Sequence, residues 1–230
     1  MTLVIVTSAS PETRYNVLYL ILDDLRPEFL TAYDQKQMIT PHIDALANSS
    51  LVFSHAYASV AVCCASRNSF MTGRRPHHTL VFDNQDYFPT PGGDFRSNGQ
   101  GENWTTMPEH FMRSNWTTWG GGKTFHPKHP PNFDEPRSWT PGRNYFPFHS
   151  HLVAKKGDPA CPGIGKVTPP WAPRPGLVSD IDTWCAVPAV PDDEFYDDTL
   201  ASDTIDRIVD ASKLPNPWFL MSGFARPHGG

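Results

Sequence analysis

No run in the 230 residues reaches the roughly 18 to 20 consecutive apolar side chains that a membrane-crossing helix needs, so no membrane span is expected. Positive charge is in short supply as well. Nineteen Lys and Arg against 24 Asp and Glu leave a formal −5, which argues against a broad nucleic-acid-binding surface and falls far short of a disordered polyanion. Internal repeats are absent, and so are low-complexity tracts outside a proline-rich middle. There are only four cysteines, and 230 residues can bury a core without staples, which argues against a disulfide-framed miniprotein.

Proline and glycine, by contrast, are abundant. The 24 prolines and 16 glycines concentrate between Phe88 and Pro191, and this predicts a loop-rich middle third, about 88–191. Residues 1–14 read as a tail or as the remnant of a signal peptide: Leu3 to Val6 is apolar and Ala9 is small, but no basic segment precedes them. Cys161 and Cys185 flank a Pro/Gly-rich loop and read equally as a staple or as two buried thiols. Asn-x-Ser/Thr sequons at Asn48, Asn103 and Asn115 add modest support for a secretory route.

The apolar pattern predicts an α/β protein. Asn16 to Leu22 is a continuous apolar run ending at Asp23 and Asp24, the form of a buried parallel strand that opens into a functional loop. Thr40 and Pro41 start a short helix, and Leu51 to Ala58 reads as a strand. A helix is expected over Ala65 to Thr72, stopped by Gly73, with the cysteine pair at or before its N-terminus. Another runs from Thr106 to Ser114, followed by a strand at Trp116 to Trp119 that Gly120, Gly121 and Gly122 interrupt. Asp198 to Ala211 has Ala201, Ile205, Ile208 and Val209 on one helical face, and Trp218 to Gly223 reads as a further buried strand.

Asp23 and Asp24 offer hard anionic oxygens suited to Ca²⁺ or Mg²⁺, although such a pair more often serves a turn or a cap. Cys63 and Cys64 with His55, His77 or His78 could be read as zinc ligands, but adjacent cysteines lack the usual ligand spacing. Two small buried hydrophobes would leave the Ser-Arg-x-x-x-Met-Thr-Gly-Arg-Arg-Pro run unexplained. A helix N-terminus at Cys63 presents partial positive charge to an anion, and Arg67, one turn on, lies on the same face.

The segment Cys63-Cys64-Ala65-Ser66-Arg67, continued by Met71-Thr72-Gly73-Arg74, resembles the signature of the type I sulfatases of the alkaline phosphatase superfamily. Asp23-Asp24-Leu25-Arg26-Pro27, Thr72-Gly73-Arg74-Arg75-Pro76 and Gly122-Lys123-Thr124-Phe125-His126-Pro127 look particularly like the branch acting on the 2-O-sulfate of iduronate in heparan and dermatan sulfate. The likeness extends from about Asn16 to the C-terminus. It implies that 15–230 is the N-terminal part of a catalytic domain: a sheet sandwiched by helices, incomplete at its C-terminal side and marginally stable alone. It also implies that Cys63 becomes formylglycine, made by the formylglycine-generating enzyme in the endoplasmic reticulum, and that a hydroxyl of the hydrated aldehyde attacks sulfur.

The same resemblance makes Asp23, Asp24 and the residue derived from Cys63 ligands of Ca²⁺, with Arg67 and Lys123 stabilising charge. His126 then serves as the base that releases sulfate, and His228 lies near the leaving-group oxygen, with Arg226 where a lysine is usual. It pairs Cys161 with Cys185 and points to a lysosomal or secreted protein acting on sulfated glycosaminoglycans. A further acidic metal pair and another lysine, which the family places beyond His228, are not encoded in this chain. Two other expectations keep the fold: an inactive sulfatase-like protein that binds sulfated glycans, and a phosphatase or phosphonate hydrolase.

Overall fold

The computed structural model describes residues 2–7, 14–27, 31–35, 38–84, 94–97, 101–148 and 196–228. Among these residues four strands form one sheet in the order β1-β2-β4-β3, with β1 Thr2–Thr7, β2 Asn16–Asp23, β3 Thr117–Gly122 and β4 Trp218–Pro227. β2, β4 and β3 run parallel, and β1 lies antiparallel against β2 at one edge. The mixed α/β architecture with a parallel core is the expected fold class.

Parallel strands are continuous apolar runs because both faces are covered, and period-2 alternation assigns the two faces here. Tyr19, Ile21, Phe219 and Met221 turn to one side. There they meet Phe70 and Met71 of α2 (Cys63–Thr72) and Met107 and Phe111 of α4 (Met107–Arg113). Leu18, Trp218, Leu220 and Trp119 turn to the other side, against Ile208 and Ala211 of α5 (Tyr196–Ala211). Phe219, Leu220 and Met221 are almost wholly buried, and each side chain contributes about 1.5–3 kcal/mol. Two short helices, α1 (Pro41–Asn48) and α3 (Pro76–Thr79), flank α2 in the chain.

Local signals explain the boundaries. α4 opens on a capping box in which Thr106 Oγ1 accepts from the Glu109 amide at 3.3 Å and Glu109 Oε2 accepts from the Thr106 amide at 3.2 Å. α2 stops where Gly73 turns left-handed at φ 67°.

Three expectations are corrected. The glycines do not interrupt β3, which runs through all three to Gly122. Their missing Cβ atoms make room for neighbours, since a Cβ on Gly120 would stand 2.5 Å from the Trp139 ring and one on Gly122 would stand 2.2 Å from the Gly223 carbonyl. Leu51 to Ala58 forms no strand: it pairs with nothing in the sheet and leaves Leu51, Phe53 and Tyr57 exposed. On α5 the buried face is Tyr196, Leu200, Thr204, Arg207 and Ala211; of the expected stripe Ile208 packs partly on the sheet, while Ile205 and Val209 are exposed. Thr204 and Arg207 are drawn inward by polar partners, Ser222 Oγ at 2.7 Å and the Asn144 carbonyl at 2.9 Å. Cys161 and Cys185, and with them the staple, lie outside the described residues.

Candidate active site

β2 ends at Asp23, β3 ends one residue before Lys123, and α2 begins at Cys63. The sheet and one helix N-terminus thus deliver three chemically distinct side chains to one place. Asp23 is buried, and both of its oxygens are occupied. Arg67 donates to Oδ1 at 2.7 Å and Lys123 Nζ donates to Oδ2. Burial pushes the Asp23 carboxyl up, but the two cations outweigh it and hold the group below the ordinary carboxylate value.

The Cys63 thiol lies 3.8 Å from Asp23 Oδ1 and 3.9 Å from Lys123 Nζ. Its pKa is raised, chiefly by burial and also by Asp23 and Asp24, against the pull of Lys123 and Arg67. Cys64 points the other way, fully buried beside Ala65 and Val81, and its thiol is pushed up to about 12 by burial and by Asp94 and Asp83.

The backbone that carries Lys123 is held from several sides. Arg67 donates to the carbonyls of Lys123 and of Thr124, the latter at 3.0 Å. Gly223 accepts from the Lys123 amide at 2.7 Å. Tyr145 Oη donates to the Gly122 carbonyl at 2.5 Å and pairs with Thr124 Oγ1 at 2.7 Å. A Cβ on Gly223 would stand 2.1 Å from the Lys123 carbonyl, so this approach requires glycine.

The predicted residues fall into two sets. Asp23, Cys63, Arg67 and Lys123 contact one another, and the donor atoms of Asp23, Cys63 and His228 lie within 4.8 Å of one another. Asp24, exposed and at φ 56°, turns its carboxylate toward His228, with Oδ2 3.7 Å from Nε2. His126 feels the charges of Lys123 and Arg67 without bonding to the cluster. It makes its hydrogen bond to the Pro127 carbonyl at 3.2 Å and none to Asp23, Cys63 or His228 among the described residues. Burial, then the charge of Lys123, lowers its pKa to about 4.

The family model for sulfatases matches residues 15–230. The chain belongs to the sulfatase family. It is 33% identical over 215 residues to iduronate 2-sulfatase of Homo sapiens and 32% identical over 216 residues to that of Mus musculus. Each match covers 93% of this chain and 35% of the relative, so the chain spans about a third of the length of these curated relatives. Among solved structures, a sulfatase from Bacteroides thetaiotaomicron superposes with a TM-score of 0.54 at 22% identity, over 92% of this chain and 35% of that one. The phosphonate monoester hydrolase of Agrobacterium radiobacter superposes with a TM-score of 0.56 at 22% identity, over 92% and 40%. At that identity these two speak for the fold alone.

Sequence reasoning missed three residues of this sulfatase chain. Phe148 places its ring 5.7 Å from Lys123 Nζ, Tyr145 clamps the Lys123 turn, and Asp197 binds the end of β4. Phe148 and Tyr145 lie in the Pro/Gly-rich middle, where no periodicity flags a side chain. Asp197 was hidden by a helix start placed two residues late, at Asp198 instead of Tyr196.

Proposed function

We propose that this chain is the N-terminal catalytic part of a sulfuric ester hydrolase whose working residue is a formylglycine made from Cys63. The observation that carries the reading is the convergence of Cys63, Asp23, Arg67 and Lys123 at the N-terminus of α2. There a thiol-bearing position faces one carboxylate and two cations, next to amides that favour an anion. The hydrated aldehyde at position 63 would supply the nucleophilic oxygen.

The donor set fits Ca²⁺. Asp23 and Asp24 offer hard oxygens, and the buried Asp23 carboxylate already demands positive charge, which Arg67 and Lys123 meet here. Asp23, Asp24 and an oxygen at position 63 would hold the ion, which would polarise the sulfate when bound. That set falls short of the usual six to eight oxygens, so water or residues outside this chain would complete it.

The chain's own residues then divide the work. Arg67 and Lys123 bind and orient the sulfate and offset its growing charge. His126, neutral above about pH 4, accepts a proton at its ring nitrogen. His228 donates one to the departing alcohol oxygen. The substrate we propose is the 2-O-sulfate of iduronate in heparan or dermatan sulfate, supported by the likeness to the two iduronate 2-sulfatases. Maturation by the formylglycine-generating enzyme and a lysosomal or secreted location follow from the same reading. The three sequon asparagines, Asn48, Asn103 and Asn115, are all exposed, as glycosylation there would need.

The test is mass spectrometry of the Cys63 peptide after expression with the formylglycine-generating enzyme, coupled to turnover of an aryl sulfate and an aryl phosphonate. Loss of the thiol for an aldehyde together with sulfate turnover supports the reading. An unmodified thiol overturns it, and preferred turnover of the phosphonate moves the chain to the hydrolase reading that shares its fold.

A further inference from the structure

The last turn of β4 departs from the ladder. Leu22 pairs with Phe224, but the next residue, Asp23, pairs with Pro227, so Ala225 and Arg226 are extra residues on β4 with no partner on β2. Nor can β3 serve them, because its pairing with β4 ends at Gly122 and Gly223. A bulge of this kind strands backbone amides, here that of the half-buried Ala225, which needs an acceptor in the protein, and that of the exposed Arg226.

Asp197 supplies it. From the first turn of α5, one carboxylate accepts both amides, Oδ1 from Ala225 and Oδ2 from Arg226, each at 2.8 Å. Directly after this grip the chain turns back, and the His228 amide donates to the Ala225 carbonyl at 3.0 Å. That turn brings the imidazole into the group with Asp23 and Cys63 and to 3.7 Å from Asp24.

We propose that Asp197 is a positioning residue for His228: its carboxylate fixes the β4 bulge and thereby sets where the imidazole stands in the candidate active site. The catalytic consequence rests on the sulfatase reading, but the positioning itself does not. A carboxylate is the suitable group, since it presents two acceptors in one plane and forms charge-assisted bonds that neutral acceptors match less well. Its site in the first helical turn also suits a negative charge. Asp198, its exposed neighbour in the same turn, shares that helix-end benefit, but no hydrogen bond joins it to β4 among the described residues. The pair therefore separates positioning from simple helix stabilisation.

The experiment compares Asp197→Ala, Asp197→Asn and Asp198→Ala in the full 230-residue chain. Amide hydrogen exchange would be followed at Ala225, Arg226 and His228, and the carbethoxylation rate of His228 read by peptide mass spectrometry. Asp197→Ala is expected to speed exchange at Ala225 and Arg226 by about tenfold or more, the factor that loss of a charged-acceptor bond implies, and to change the His228 rate. Asp197→Asn, with one acceptor oxygen, should release one amide more than the other, while Asp198→Ala should move none of these. Equal effects of the two alanine variants, or slow amides in Asp197→Ala, overturn the proposal.

None of these readings requires turnover, so an inactive chain would fail the sulfatase reading and leave this test intact. In a preparation that hydrolyses an aryl sulfate, Asp197→Ala should lower kcat more than it raises KM. It should add little in a His228→Ala background; full additivity there would show that Asp197 does not act through His228.

Discussion

Cys63 and Cys64 are neighbours in sequence, yet one helical step of about 100° sends the first toward charged groups and the second into a core of Ala65 and Val81. With its thiol at about 12, Cys64 has roughly a thousandfold less thiolate than an ordinary cysteine. The Cys63 thiol is raised too, but it is only half-buried whereas Cys64 is wholly buried, so iodoacetamide should alkylate unmodified Cys63 in the native chain and reach Cys64 only in denaturant, a difference that peptide mapping reads directly. His126 gives a pH prediction with a definite sign. Unfolded, it takes up a proton near its ordinary 6.5; folded, it stays neutral until about 4, so the unfolded state binds more protons between those values. The stability from His126 is thus complete above pH 6.5 and lost as pH falls toward 4, on the order of 3 kcal/mol in all. Urea titrations at pH 7 and pH 4.5 should show a smaller loss for His126→Gln than for the parent chain; identical losses would refute the assignment. The residues legible in sequence were those inside contiguous motifs, such as Cys63 with Arg67. Tyr145 and Phe148 reach Lys123 only through the fold, 22 and 25 positions along the chain, a relation no local pattern encodes.

Elements were legible where one physical signal dominated. β2, β4, the α4 capping box and the Gly73 stop followed from apolar runs and cap chemistry, and the structure places them close to expectation. Signals that depended on a neighbour misled. The apolar stripe of α5 ranked Ile205 and Val209 inward, but Arg207 finds Asp203 and a carbonyl inside, and the helix rotates to bury it. The glycines of β3 looked like a break because glycine weakens an isolated strand, whereas here closely packed neighbours require it. This can be tested by adding one methyl group at a time. Gly120→Ala drives a Cβ to 2.5 Å from Trp139, which is 2% exposed and pinned by its Nε1 bond to the Phe133 carbonyl at 2.7 Å. The ring cannot yield, so the loss should be about 3 kcal/mol or more. Gly73→Ala meets no atom within 4 Å and bears only the left-handed backbone cost, about 1 kcal/mol. Chemical denaturation should rank Gly120→Ala clearly below Gly73→Ala, and the reverse order would show that β3 tolerates side chains at its centre.

At the scale of the molecule, this structure leaves large apolar side chains in water. Ile39 is 93% exposed, Leu51 80% and Tyr57 85%, and on α5 Ile205 and Val209 are 60% and 48% exposed. Single exposed hydrophobes are ordinary, but Ile205 and Val209 are one turn apart on the side of α5 turned from the sheet, where they form an adjacent pair. Among the described residues β1 and β3 form the sheet edges, and β3 is buried along its length. The outer side of α5 is therefore a surface through which the chain should associate in solution. The 230-residue chain should associate reversibly as its concentration rises, seen as a growing apparent mass in sedimentation velocity. Ile205→Glu with Val209→Glu should suppress that growth while shifting the urea unfolding free energy by only about 0.5 kcal/mol per site, the range typical of surface changes. Leu200→Glu, at a wholly buried position on the same helix, should instead unfold the chain. If the double variant unfolds as Leu200→Glu does, the pair is part of the core and the orientation assigned to α5 is wrong; if it stays folded and still associates, the contact lies elsewhere, with the exposed Leu51, Phe53 and Tyr57 segment the next to change.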